Sequence, residues 1–576
     1  MDRQAWIAVT LCVIGLVLWQ IYMTTRPAPP PRVSATPAST IAATSPPPPA
    51  STTTSSPAPS ITPSSAETIP SFAEKTEVLR NSDVELRLTN RGGGISEVVL
   101  LNHAAENGQR VTLNSPDRTP IGAIVDQPAV AALPQFTITH TADGSVQLER
   151  VTPEHIDIRK KFFFAPSPER KDKFVAGMDL DFRNDGTDVY QNSDYFIALG
   201  SARPVHHNDI STYTHLTWCI SGKAKSIDVN WFAPQSSFFG LQKRPAHDFY
   251  EEKLPGAEWA GVNNQFFATL LVPLNAKANA VWGRRFELPQ PEAAALPAIE
   301  GAMGMPGFQL SPGQTATLHF ELYAGPKLYH RLAQLEHNEA EIMDFGVLKI
   351  VSQALLNLMN LLHQYLGNYA AAIFALTTIV KLTLWPLQNK ANRSMRRMSA
   401  LSPKMQELRD KYKDDPTRMN QEVMKLYKDY GVNPVSGCLP MLIQIPIFFG
   451  LFTMLRQAVE LRNASFLWVK DLSQPDTIGH IPGLGWPINI LPLIMALTNV
   501  WMMRITPKSG DATQQRVMMF TPLIFVVFCY NFAAALALYY TTQNLFTILQ
   551  LYQNKRQPMP TLEKVAPAGK RSRKGR

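Results

Sequence analysis

At 576 residues, with 55 Lys and Arg against 46 Asp and Glu and a net charge of +9, the chain is too long for one ordinary compact domain. Its positive charges cluster beside apolar runs instead of on a soluble face interleaved with stacking aromatics, which argues against a nucleic-acid reader and for charge that orients a membrane protein. Cys12, Cys219, Cys438 and Cys529 lie far apart, so neither a disulfide framework nor a zinc site is indicated.

The N-terminal MDRQ precedes AWIAVTLCVIGLVLWQIYM, roughly 19 residues without a charge, enough at about 1.5 Å per residue to cross a hydrocarbon core of about 30 Å. A cleaved signal peptide is the alternative. The run exceeds an ordinary signal-peptide core and no A-x-A site follows it directly, so residues 1–26 read as an uncleaved anchor. Residues 27–70, almost wholly Pro, Ala, Ser and Thr, bury nothing and form a disordered tether. From 71 to 325, alternating stretches such as VELRLTN, SEVVLLN, QFTITH, SVQLERV, FVAGMDLDF and TATLHFELY are broken by Gly, Pro, Asn and Asp, which predicts a large antiparallel β-sandwich. No strand is followed by a glycine-rich phosphate loop.

Residues 326–367 form a linker and an amphipathic helix. From Asp344 to Gly367, Phe345, Leu348, Val351, Leu355, Leu358, Met359, Leu362 and Leu366 share one face, opposite Lys349, Gln353, Asn357, Asn360 and Gln364. Such a helix is expected to lie along the membrane surface; packing against the β domain is the alternative. Residues 368–556 then form a transmembrane core, with apolar runs at 369–387, 438–459 and 486–503. The stretch 517–551 is too long for one upright span and divides near Asn531 to Ala534 into two, for a total of six spans with the anchor.

The connection 388–437 is rich in Lys and Arg, whereas 460–485 carries only Arg462 and Lys470, so the first is cytoplasmic and the second outside. The basic tail 557–576 is cytoplasmic too. Both termini then lie in the cytoplasm and the β domain lies outside. Within 388–437, SPKMQELRDKYKDD and PTRMNQEVMKLYKDYG read as a helical hairpin opened at Pro416 and closed at Gly431. It serves either as a merely solvated pair of helices or as a docking surface for a ribosome, a targeting factor or an incoming chain.

H-E-x-x-H, G-x-S-x-G and G-x-x-x-x-G-K-[ST] are all absent, which removes the main support for a metalloprotease, hydrolase or P-loop enzyme. His206-His207 is the only adjacent histidine pair, and it reads as a surface or turn position with no carboxylate at ligand spacing. The informative residue is Lys381, a cation inside the run TTIVKLTLWPL. It either snorkels to the cytoplasmic edge or faces a wet cavity. Thr377 lies one turn earlier on the same face, and Gln444, Tyr540, Gln543 and Asn544 are polar residues of other spans. Each alone reads as an ordinary interhelical hydrogen bond; with Lys381 they outline a hydrophilic chamber.

Several runs carry a specific resemblance: LTLWPLQNKANRSMRRM, YGVNPVSGCLPMLIQIPIFFGLF, VELRNASFLWVKDLS and LYYTTQNLFTILQ. From about 340 to 556 the chain resembles the YidC family of insertases, and the tether and β domain resemble its long Gram-negative form. The resemblance implies a multi-domain α+β protein of the bacterial inner membrane, with a periplasmic domain and a five-helix core holding a positively charged groove. It also implies no catalytic chemistry and no cofactor or metal. The groove residues it implies are Lys381, Thr377, Gln444, Tyr540, Gln543 and Asn544, and Ile445, Phe448 and Phe449 form a slide for apolar spans. Expected partners are nascent membrane proteins, membrane lipid, the Sec translocon, and a ribosome or targeting factor at the hairpin and tail, with no specific nucleic acid. Family members usually have Arg where this chain has Lys381, and Phe-Pro-Ser-Gly where it has Phe532-Ala533-Ala534-Ala535. A transporter or channel is the competing reading, but no inverted repeat is found; a membrane-anchored scaffold leaves Lys381 unexplained.

Overall fold

The computed structural model describes residues 72–556 except 127, 129–131, 165–171, 208, 237–242, 289–294, 414, 433–438, 484, 507–526 and 528. The predicted anchor, tether, basic tail and most of the penultimate span lie outside the described residues.

Alternation of apolar and polar residues builds the β-rich unit. Val175–Asn184, for example, buries every second side chain, as a strand with one covered face must. It sits inside a nine-stranded sheet that runs from Lys223–Asp228 at one edge to Thr137–His140 at the other. A five-stranded sheet with Ala278–Leu288 and Leu296–Met305 near its middle, a four-stranded sheet formed by 76–113 and two small two-stranded sheets accompany it. All named strand pairs are antiparallel, among them Phe267–Pro273 with Thr315–Pro326. Trp259–Asn263 and Phe267–Pro273 are buried along their whole length, because the nine-stranded sheet is covered on both faces there. The unit is thus the β-rich, antiparallel assembly of sheets that period-2 patterning implies.

A lysine joins two of these sheets. Lys160, fully buried, donates from Nζ to the carbonyls of Gly92 at 3.1 Å, Gly93 at 2.8 Å and Gly122 at 2.8 Å. Its ammonium also sits 4.8 Å from the centre of the Phe136 ring. Gly93, at φ +61°, has no room for a Cβ beside that ring, so glycine is needed for the carbonyl cage to close.

His103 and His215 carry a pH dependence. Burial, aided by the charge of Arg462 near His103 and of Lys327 near His215, lowers each imidazole from 6.5 to about 4. The fold holds both rings neutral while the unfolded chain protonates them near the ordinary value, so their contribution is present above about 6.5 and lost as pH falls toward 4. The urea midpoint of the β domain is expected to drop over that interval, and His215→Gln to flatten part of the drop. An unchanged profile in the variant would remove His215 from the account.

The helical part begins with α1, Lys349–Leu366. Gly367 ends it in the left-handed conformation, and the Asn368 side chain caps α2, Tyr369–Ala400, by accepting from Ala371 N. α1 buries Ser352, Leu355, Leu356 and Met359 against α2 and α5, Leu439–Gln457. Ser352 Oγ donates to Gly450 O at 3.0 Å. The apolar face of α1 packs on the core helices rather than on the β domain. Val347, just before it, and Ile350, Leu361 and Tyr365 stay exposed on the other side.

α2 spans 32 residues, about 48 Å at 1.5 Å per residue, and so continues beyond any hydrocarbon core. Residues 388–400, assigned from sequence to the hairpin, belong to this helix. Pro386 removes one backbone donor, but Gln388 to Ala400 are good helix formers and carry the helix on. The hairpin proper is α3, Ser402–Lys411, and α4, Pro416–Asp429, with Asp415 capping α4 through Arg418 N. α6, Ile490–Ile505, and α7, Ala534–Lys555, complete the core. Among the described residues α2 is the one helix long and apolar enough to cross a membrane, and α6 is a shorter apolar helix.

The β domain seats on the outer end of these helices. Gln265 Nε2 donates to Arg456 O at 2.7 Å, and the Arg456 guanidinium lies 4.6 Å from the Phe452 ring centre and 4.8 Å from that of Tyr213. Arg462 Nη2 donates to Ala104 O at 2.8 Å. His206 is buried and pairs with Asp209 at 3.1 Å, and Gln474 reaches both residues from the core. His207 pairs with Glu106 at 2.5 Å. The expectation of a surface histidine pair without nearby carboxylates is therefore corrected: Asp209 lies three residues on, and Glu106 arrives from another strand connection.

A candidate polar cluster among the core helices

α7 organises the cluster because its polar residues recur at helical spacing. Gln543, Thr547, Gln550 and Asn554 are separated by four, three and four residues and so follow one stripe of the helix. Its neighbours are α2, α5 and α6. Lys381, only 4% exposed, reaches from α2 and donates to Thr547 Oγ1 at 2.9 Å. Thr547 Oγ1 in turn donates to Gln543 O at 2.9 Å. From α5, Gln444 Nε2 donates to Gln543 Oε1 at 3.1 Å and to Tyr539 OH at 3.3 Å. On the side facing α6, Asn544 Nδ2 donates to Thr498 Oγ1 at 3.1 Å.

Four of the six predicted groove residues thus bond around the middle of α7: Lys381 and Gln444 reach it from α2 and α5, and Gln543 and Asn544 lie on it. Thr377 is buried one turn from Lys381, but its hydroxyl donates to its own helix at Ile373 O, 2.7 Å away. Tyr540 turns its ring toward Phe448, centroid to centroid 5.4 Å. Sequence reasoning missed Thr547, Tyr539 and Thr498, and also the amides that continue the stripe: Gln550 Nε2 donates to Asn389 Oδ1 at 2.8 Å. The spacing of 543, 547, 550 and 554 was the available signal. Of the predicted slide residues on α5, Ile445 and Phe449 are 40% and 49% exposed, whereas Phe448 is half-buried among Phe449, Phe452 and Tyr540.

Chemically the cluster offers one cation, hydroxyls and carboxamides. No carboxylate pairs with Lys381 among the described residues, where its ammonium bonds the Thr547 hydroxyl. Among those residues no three His, Cys, Asp or Glu side chains converge as metal ligands would. A separate cavity of about 790 Å³ lies in the β domain, lined by Glu106, Arg110, Arg203 and His207 among others, and shares no residue with the cluster.

Residues 78–358 match the family described as the YidC periplasmic domain, and 361–560 match the 60Kd inner membrane protein family. A protein of Geobacter sp. (strain M21) named membrane protein insertase YidC is 31% identical, with 93% of each chain covered. The chain belongs to the YidC family. A second YidC relative, from Syntrophobacter fumaroxidans, is 38% identical over 52% of this chain and 53% of its own. A solved YidC insertase with its first transmembrane domain resolved is 18% identical, covers 83% of this chain and 92% of its own, and has a TM-score of 0.34. As in YidC, the β-rich region is the periplasmic domain of an inner-membrane protein and the helical region follows it.

Proposed function

We propose that this chain inserts membrane proteins by receiving their hydrophilic tails at the Lys381 cluster and releasing their apolar spans into lipid along α5, acting also as a chaperone. The observation that carries this reading is the buried Lys381 ammonium, bonded to Thr547 and lacking a carboxylate partner among the described residues. A cation without a counter-anion at membrane depth is costly, and it attracts the acidic residues of a passing tail strongly in a medium of low dielectric. The carboxamides of Gln444, Gln543 and Asn544 supply donors and acceptors that exchange with a polar backbone. The apolar span then gains about 25 cal/mol per Å² on entering lipid, past the exposed Ile445 and Phe449. Membrane potential assists negative charges moving outward by about 2.3 kcal/mol per charge per 100 mV; no nucleotide is needed.

The same reading includes six spans with both termini cytoplasmic, a disordered tether at 27–70, and interfacial contact of α1 with lipid through Ile350, Leu361 and Tyr365. It assigns the hairpin α3–α4 and the basic tail to ribosome or targeting-factor contact, and allows action alone or beside the Sec translocon. Site-specific photo-crosslinking to a stalled nascent chain tests the core of it. A photoreactive residue at Gln444 is expected to capture the hydrophilic tail and one at Phe449 the apolar span. Capture of the apolar span at both positions would exclude the tail-receiving role.

A further inference from the structure

Among the described residues, two of the buried atoms without a hydrogen-bond partner belong to residues already bonded to each other. Asn360 Nδ2, on α1, donates to Glu460 Oε1 at 3.1 Å. Asn360 Oδ1 and Glu460 Oε2 are the partnerless atoms. Glu460 stands in the helical turn Val459–Leu461 just beyond α5, so the pair joins α1 to the segment that leads out of the core.

An ionised carboxylate offers acceptors only, and so does the Asn360 carbonyl oxygen. Both remaining atoms would stay unsatisfied, and the buried charge would be offset only by the bonds from Asn360 Nδ2 and from the backbone N–H of Glu460 itself, against a larger cost of burial. No cation contributes to the surroundings of Glu460. On its own segment, Arg456 faces the rings of Phe452 and Tyr213, and Arg462 donates to Ala104 O. On the packed helices the titratable neighbours are Tyr369 of α2 and His363 of α1, their rings stacked 3.7 Å apart.

One proton resolves both atoms of this pair. We propose that Glu460 is a proton-binding site held as a neutral carboxylic acid, with Oε2–H donating to Asn360 Oδ1 while Oε1 accepts from Asn360 Nδ2. The result is a two-bond acid–amide ring that pins α1 to the outer end of α5. Burial raises the Glu460 carboxyl above its usual range, in the direction the ring requires. A group raised in the fold contributes stability that is present below its ordinary value and lost as pH rises through the raised one. Deprotonation would open one side of the ring and loosen the tie between α1, which carries the exposed Ile350, Leu361 and Tyr365, and the turn that follows α5.

Full-length protein in lipid nanodiscs provides the test. Glu460→Gln supplies a neutral amide that can donate to Asn360 Oδ1 and accept from Nδ2, so at about pH 6 it should melt with the wild type, while Glu460→Ala melts several degrees lower. Raising the pH to about 9 should lower the wild-type midpoint and leave Glu460→Gln less affected. The infrared band of a protonated carboxyl should be present in the wild type and missing from both variants. Glu460→Gln melting as low as Glu460→Ala at about pH 6 would overturn the proposal, and so would wild type and Glu460→Gln sharing one pH profile. Should the Gln variant fail to assemble, the band decides: no difference between wild type and Glu460→Ala would also overturn it.

Discussion

Lys381→Ala is expected to reduce insertion of substrates with acidic tails by roughly ten- to a hundredfold, the equivalent of a charge-assisted contact of about 1.5–3 kcal/mol. Lys381→Arg should retain most activity, because the guanidinium keeps the charge at the same depth. Thr547→Val makes the decisive comparison: it removes the hydroxyl that accepts from Nζ and leaves the cation. If charge drives tail capture, Thr547→Val should cost much less than Lys381→Ala; if the hydrogen-bonded arrangement matters instead, the two should fall together. The measurement is insertion of paired substrates with acidic and neutral tails in a depletion strain. An alanine variant that inserts acidic tails normally would end the groove mechanism.

Lys160→Met should produce the largest loss of stability in the β domain, about 3 kcal/mol or more. The substitution preserves length but leaves three buried carbonyls, those of Gly92, Gly93 and Gly122, without a donor, at about 1–3 kcal/mol for each unsatisfied group. Burial lowers the Lys160 ammonium from 10.5 to about 7. Above about 7 the fold releases a proton that the unfolded chain keeps until its ordinary value, so this residue makes stability rise with pH over that window. Urea denaturation of wild type and variant at several pH values checks both statements: the variant should be weaker throughout and should lose the rise. A variant within about 1 kcal/mol of wild type would show that Lys160 does not hold the sheets together.

Local periodicity made much of this architecture legible. Period-2 alternation marked the strands of the β domain, and Tyr540, Gln543 and Asn544 stood out as polar residues within an otherwise apolar run, whereas the longer stripe through Thr547, Gln550 and Asn554 did not. Lys381 announced itself because a charge is improbable where apolar neighbours extend on both sides. Other elements were misread for a definite reason. Residues 388–400 read as part of the basic connection because the apolar run ends at Leu387, yet the backbone continues as one helix through that change of polarity, since Pro386 removes only one donor. His206 seemed a surface residue because Asp209 and Gln474 were not weighed with it.

Fold class, membrane character and the candidate cation followed from the chain alone, since each depends on spacing within one or two turns or strands. The tertiary structure alone decided which residues meet: Lys160 with carbonyls 38 to 68 positions away, Lys381 with Thr547 across 166 positions, and Asn360 with Glu460 across 100. The physical reason is that buried polar groups must find partners wherever packing brings them, and packing is set by the whole set of apolar faces rather than by the residues beside a polar one.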